Sequence, residues 1–315
     1  MARPCRLQGE NCFYHITSRG DNRKKIFISN YDFKQFLEYL LTAKDKYRFN
    51  LYAYCLMPNH YHLLIETLQP NLSKIMQYIN TSYTVYYNTK RNKVGHLFQG
   101  RFKSIMIDED EYFLELTRYI HLNPVKAKMV ETPENYKWSS YKGYLKPKHN
   151  KYIDYPELNH YLGMKPAAYK EFVLSSMNKK DVLFNNVYAG FFLGSRDFVK
   201  DKIAKFRPEI ESGDFAHKRK LKPEIGLDDI INTISNIFNE DVSKIVAKKH
   251  SQSDTRKIAI YVARRITGFT NKEIGSYFNV GDSAVGKAEK KILCLLKQDK
   301  VLKKRVDSVF SVFRV

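Results

Sequence analysis

Two histidines, His60 and His62, stand one residue apart in the stretch 55–66, CLMPNHYHLLIE. Apolar runs flank a Pro58-Asn59 turn signal, so the stretch predicts a hairpin with both histidines on its second strand. Strand side chains alternate faces, so the two imidazoles point the same way from a rigid element. Two imidazoles so placed can share one metal ion. The pattern by itself more often marks two polar residues on a solvated strand face. Chemistry needs a third ligand and an attacking group. The stretch 117–126, TRYIHLNPVK, offers both. Tyr119 and Asn123 are four apart and share a helix face. The Asn123 amide could complete a two-histidine, one-oxygen site, with the Tyr119 phenol beside the ion. The bland alternatives stay open. Tyr119 is one of 23 tyrosines, most of them expected in cores. Asn123 also suits a helix C-cap before Pro124, which is expected to end the helix.

The elements that must position these groups follow from local pattern. Residues 12–19, CFYHITSR, are β-branched and aromatic and predict a first strand, ended by Gly20-Asp21-Asn22. Arg19, Arg23, Lys24 and Lys25 crowd that end, either a phosphate-contacting loop or an ordinary solvated turn. Helical spacing of Phe33, Phe36, Leu37, Leu40 and Leu41 predicts a helix over 30–47. Leu72, Ile75, Met76, Ile79, Tyr83 and Tyr86 predict another over 71–89, their aromatic stripe facing the core. Arg101 and Lys103 alternate with Phe102, so both cations share one face of an extended segment entering a strand at 104–107. Asp108 caps a helix running to about His121, with Glu109, Asp110 and Glu111 at its positive end.

Five stretches then carry a resemblance: Tyr14-His-Ile-Thr-Ser-Arg-Gly20, Met57-Pro-Asn-His-Tyr-His-Leu-Leu64, Gly100-Arg-Phe-Lys-Ser104, Tyr119-Ile-His-Leu-Asn-Pro-Val125 and Trp138-Ser-Ser-Tyr141. In that order they resemble the single-tyrosine HUH transposases, in the REP-associated tyrosine transposase branch, over roughly residues 5–145. The resemblance implies an α+β, ferredoxin-like domain whose antiparallel sheet bears the histidine pair, with Tyr61 at the intervening hydrophobic position. It implies Tyr119 as nucleophile and His60, His62 and Asn123 as ligands of a divalent ion, Mg²⁺ or Mn²⁺; many relatives carry Gln where Asn123 stands. The ion would polarise the scissile phosphate. Tyr119 would displace a 3′ oxygen from single-stranded or hairpin DNA, leaving a 5′-phosphotyrosine and a free 3′-OH. A phenol of pKa ~10 needs activation for that attack. A single tyrosine is reused or is paired with that of a second subunit, so a homodimer is one expectation.

Residues 146–224 predict an all-α helical spacer between linkers, with basic residues at 218–222 and no chemistry of its own. Beyond it, candidate helices at 227–238, 241–249, 253–267, 270–278 and 282–297 predict a helical module over 225–315. Thr270-x-x-Glu273 is a capping box, and Asn279-Val-Gly-Asp-Ser283 is a turn before a basic helix. This pattern predicts a helix-turn-helix with Lys272, Ser283, Lys287, Lys290 and Lys291 toward duplex DNA. Residues 256–278 resemble the DNA-binding domain of the replication initiator DnaA. That domain reads bases with an Asp-His-Ser/Thr signature where this chain has Gly281-Asp-Ser-Ala-Val285.

Composition agrees. The 315 residues are 43% apolar, enough for two domains with real cores. The four cysteines are scattered, which indicates neither a disulfide framework nor a zinc site. No apolar run approaches membrane length, and the N-terminus lacks a signal-peptide core, so a cytoplasmic, nucleoid-associated protein is expected. Residues 1–150 carry 23 Lys/Arg against 13 Asp/Glu, net +10; residues 151–217 carry 10 against 9; residues 218–305 carry 20 against 10. Two basic blocks around a near-neutral one predict a polyanion contacted at both ends, with DNA near Arg19, Arg23, Arg101, Lys103 and Lys126 in the first. The expected activity is DNA strand transfer. An HUH replication initiator or relaxase would nick with the same set, and a non-catalytic DNA-binding regulator would need none of it.

Overall fold

The structure is a computed structural model that describes residues 6–146, 150–212, 225–247 and 254–313. It divides into two compact units, Met1–Gly213 and Asp214–Val315. Among the described residues no helix is long and apolar enough to cross a membrane.

The first unit is built on a five-stranded sheet of order β2-β3-β1-β4-β5. Its strands are β1 (Cys12–Arg19), β2 (Phe49–Met57), β3 (His60–Thr67), β4 (Lys103–Ile107) and β5 (Phe192–Leu193). All pairings are antiparallel except β4 with β5. The predicted hairpin forms at Pro58-Asn59, and β1 pairs along the whole of β3, Cys12 opposite Thr67 and Arg19 opposite His60. α1 (Asn30–Tyr47) and α2 (Leu72–Lys90) cover one face of the sheet. Tyr61 points to that face, where its ring meets Phe36 and its hydroxyl donates to Asn80 Oδ1 at 2.7 Å. A capping box at Ser29 and Asp32 starts α1. The buried Asp32 carboxylate also binds Tyr86, Lys90 and Arg91, locking α1 to α2. These partners hold its pKa well below the carboxylate range, Ser29 and Ile28 amides first, against the opposing effect of burial.

α3 (Glu109–Lys126) covers the other face. The helix does not stop at Pro124. It continues to Lys126, with the Ala127 amide donating to Asn123 O and the Met129 amide to Pro124 O, both at 2.9 Å. Proline there forfeits one bond near the end of the helix, a loss the last turn tolerates. Asn123 is accordingly inside the helix and is not its cap.

The stretch expected as an all-α spacer belongs to the first unit. α4 (Tyr141–Leu145), α5 (Tyr155–Leu162) and α6 (Pro166–Leu174) pack against the α3 side. β5 adds to the sheet, and α7 (Arg196–Lys205) and α8 (Arg207–Ser212) follow it. Part of the basic linker, 218–222, lies outside the described residues.

Among the described residues the second unit is all helical: α9 (Leu227–Phe238), α10 (Val242–Val246), α11 (Asp254–Ile266), α12 (Asn271–Tyr277), α13 (Asp282–Gln298) and α14 (Lys300–Val312). The last of these was not among the expected helices. One core joins them, including Ile230, Ile234, Ile258, Val262, Ile274, Phe278, Val285 and Ile292. Arg256 lies inside it, only 1% exposed, its guanidinium donating to the carbonyls of Val246, Ala247 and Phe278. A planar five-donor fork reaches carbonyls of two helix ends at once from separate nitrogens, a spread that the single nitrogen of a lysine does not have. Thr270 and Glu273 form the predicted capping box, and the turn to α13 passes through Asn279 at φ 50°. Gly275 is needed there: a Cβ would stand 2.6 Å from Val280 O.

Candidate active site

Register on the sheet sets the site. Partners across an antiparallel ladder point to the same face. Thr17 pairs with both His62 and Lys103, and Arg19 pairs with His60, so these side chains share the face under α3. His15, two residues before Thr17 on β1, joins them. Its Nε2 lies 3.0 Å from His62 Nδ1, and the two rings are nearly parallel with 5.2 Å between centroids, as an in-plane hydrogen bond requires. His60 and His62 rings are 5.0 Å apart.

α3 brings Tyr119 over this cluster. Its ring is edge-on to His62 at 5.6 Å and to His15 at 5.9 Å. One turn on, Asn123 Nδ2 donates to Tyr119 O at 2.9 Å. The structure therefore gathers His60, His62 and Tyr119, and ties Asn123 to the tyrosine.

Ring nitrogens show what the cluster can hold. His60 Nδ1 shares a 2.7 Å hydrogen bond with Asn59 Oδ1. An amide oxygen only accepts, so Nδ1 carries the proton and Nε2 keeps its lone pair. His62 Nε2 is buried with no partner, as is His15 Nδ1. If His62 Nδ1–H donates to His15 Nε2, His62 Nε2 likewise presents a lone pair and His15 carries its proton on Nδ1. Among the described residues no three His, Cys, Asp or Glu side chains gather as a metal site. Any third donor must come from elsewhere, and the Asn123 amide oxygen is a chemically suitable one. Two imidazole nitrogens and one oxygen fit a divalent transition ion of the manganese type better than an all-oxygen magnesium site.

Electrostatics keep the cluster neutral. Burial lowers the His15 pKa to about 3. Burial, then His15 and His60, holds His62 well below its ordinary value. Burial, then Arg19, lowers His60. Burial raises the Tyr119 pKa, and Asp181 raises it further, while the Asn123 side chain pulls it down. The phenol is thus protonated in the resting site.

The predicted cations take varied positions. The Arg19 guanidinium donates to Gln99 Oε1 at the histidine end of the sheet. The 19–27 loop is sewn to the hairpin turn, Gly20 N donating to Asn59 O at 2.8 Å and Ile26 N to Pro58 O at 2.8 Å, and it holds Arg23 exposed there. Gly20 permits the tight curl of the loop itself, since a Cβ would stand 2.2 Å from Lys24 O. Arg101 and Lys103 are exposed on either side of buried Phe102. Lys126 pairs with Asp181 at 3.0 Å. In the second unit Lys272, Ser283, Lys287 and Lys290 are exposed on α12 and α13, while Lys291 pairs with Asp254 at 3.3 Å.

Sequence reasoning missed His15, Phe184, Asp181 and His121. His15 sits in a quoted motif and has the right parity along β1 to share a face with Arg19; that signal was present. Phe184 stacks on His15 at 5.1 Å and meets Tyr119 edge-on at 4.7 Å. It comes from the stretch read as spacer, and no local pattern placed it here. His121 is fully buried on α3 against the helices that follow it, sharing 2.7 Å hydrogen bonds with Tyr169 OH and Ser140 Oγ.

Residues 8–123 match the family model described as "Transposase IS200 like", and residues 227–292 match "Bacterial dnaA protein helix-turn-helix". A putative REP-associated tyrosine transposase of Haemophilus influenzae is 27% identical over 139 residues, covering 41% of this chain and 78% of that protein. The chromosomal replication initiator protein DnaA of Campylobacter jejuni is 30% identical over 96 residues, covering 30% of this chain. The match spans 22% of that DnaA, about a fifth of its length. The Nautilia profundicola DnaA is 34% identical over 102 residues. A solved structure described as "Structure of the REP associates tyrosine transposase bound to a REP hairpin" has 18% identity and a TM-score of 0.42, covering 49% of this chain and 91% of that one.

Proposed function

We propose that this chain, which carries an IS200-like transposase domain at residues 8–123 and a DnaA-type helix-turn-helix domain at 227–292, cuts and rejoins DNA strands through Tyr119. The observation that carries this reading is the gathering of Tyr119 with His60 and His62 on one sheet face, inside the transposase-like segment.

His60, His62 and Asn123 would hold a divalent ion, Mn²⁺ or Mg²⁺, which when bound supplies Lewis-acid polarisation of the scissile phosphate. Tyr119 Oη attacks phosphorus in line. The phosphorus–O3′ bond breaks, a 5′-phosphotyrosine forms, and the leaving oxygen ends as a free 3′-OH. The phenolic proton must leave on attack, and the raised Tyr119 pKa makes that the step most in need of help. Attack by a 3′-OH on the phosphotyrosine reverses the chemistry and rejoins strands without ATP. Arg19, Arg23, Arg101 and Lys103 flank the histidine end of the sheet and suit phosphates of the same strand. The attack needs an accessible, bent backbone, which favours single-stranded or hairpin DNA over plain duplex. Duplex binding falls to Lys272, Ser283, Lys287 and Lys290 on the helix-turn-helix.

Covalent capture tests the reading. Labelled hairpin oligonucleotides with Mn²⁺ or Mg²⁺ are expected to give a denaturation-resistant adduct, absent in Tyr119→Phe and reduced by at least ~100-fold in His62→Ala. No adduct across a broad hairpin library, with duplex binding intact, would leave a DNA-binding regulator.

A further inference from the structure

Beside Tyr119, on α3, a groove of about 300 Å³ opens between that helix and residues 176–186. Tyr112 and Leu122 give it an apolar wall, and Tyr119 is part of its lining. Ser176 lines it too; that residue is 7% exposed, and its Oγ has no hydrogen-bond partner. Lys179 and Lys180 stand exposed on its other side and form no ion pair among the described residues. The Lys126–Asp181 pair bridges α3 to the 176–186 segment.

A buried hydroxyl with no partner is a hydrogen-bonding group held ready for something absent. Lysines beside it favour an anion. The volume is at the small end for ligand pockets, enough for one nucleotide and too small for a duplex. We propose that this groove seats the nucleotide adjoining the scissile phosphate, its phosphate toward Lys179 and Lys180 and its base or sugar against Tyr112 and the Ser176 hydroxyl. The proposal rests on Tyr119 being the nucleophile. It adds that the segment beyond the transposase-like match selects which nucleotide lies next to the cut.

The test uses the full chain with Tyr119→Phe, so that binding is read without covalent chemistry. Fluorescence anisotropy follows hairpins with single-stranded flanks in which each flank nucleotide in turn is made abasic. One position is expected to weaken binding about fivefold or more. That penalty should vanish in Ser176→Ala and in Lys179→Glu/Lys180→Glu, whose affinity for intact DNA falls to the abasic level. Lys200→Glu/Lys205→Glu makes the same charge change on α7 and should keep the penalty. A penalty that persists unchanged in both groove variants, or no penalised position at all, overturns the groove. Adduct formation by the chain with Tyr119 intact is scored separately. A lost adduct beside a groove-dependent penalty sinks the nucleophile reading alone, and an adduct without such a penalty sinks the groove alone.

Discussion

His15 illustrates how one side chain can govern another's chemistry. With burial holding both His15 and His62 below neutral pKa values, each ring carries a single proton at pH 7. Two neutral imidazoles at 3.0 Å can share only one N–H between them. When His62 Nδ1 is the donor, its Nε2 points its lone pair into the site. In that arrangement His15 accepts the His62 proton and holds its ring plane, with Phe184 stacked on the His15 ring. Groups that orient a metal-binding histidine commonly change affinity by about 10–100-fold when removed. His15→Ala is therefore expected to weaken Mn²⁺ binding by roughly that factor, measured by calorimetry without DNA. His15→Gln, which keeps an acceptor at similar reach, should recover part of the loss. Equal Mn²⁺ affinity in wild type and His15→Ala would show that His15 only fills space.

The elements were legible where pattern is local and obscure where it is not. The helix over 30–47 and the strand over 12–19 form as their spacing predicts, because amphipathic period and caps act within a few residues. β5 is two residues long, too short for any period to register, and it exists only because β4 offers an edge. The pairing of β1 with β3 that joins His15 to His62 is likewise a tertiary fact. His121 shows a motif residue whose role is support. Ser140 Oγ–H donates to Tyr54 O, so His121 Nε2–H donates to Ser140 and Tyr169 O–H donates to Nδ1, a fully used neutral ring. Burial lowers its pKa to about 3 in the folded chain, against about 6.5 unfolded. The unfolded chain then binds the extra proton between those values. The contribution is complete above about pH 6.5 and is lost as pH falls below it, at about 1.4 kcal/mol per unit for one histidine. His121→Gln can keep both hydrogen bonds but not the titration. Its unfolding free energy should fall less steeply from pH 6.5 to 5 than that of wild type, by close to one proton in slope. Urea midpoints at several pH values measure this, and parallel slopes would refute it.

At the scale of the whole molecule, charge divides as the two units do. The basic blocks read from sequence fall one in each unit, and the near-neutral stretch lies chiefly in the part of the first unit that carries β5 and the groove. If the first unit performs the chemistry and the second grips duplex DNA, their electrostatics should be separable. Lys287 and Lys290 are exposed on α13, one turn apart, with no ion pair among the described residues. Each phosphate contact a lysine makes releases counterions and contributes about one unit to the slope of log affinity against log salt. Lys287→Glu/Lys290→Glu should lower duplex affinity at least about tenfold at physiological salt and flatten the slope by about two. The Tyr119 adduct on a short hairpin lacking a duplex arm long enough for the second unit should form at the wild-type rate. On a substrate with a long duplex arm, the same variant should need more DNA to reach half-maximal adduct while its maximal rate is unchanged, since a tether supplies concentration and not chemistry. A fall in maximal rate on the short hairpin would mean instead that the helix-turn-helix takes part in building the active site.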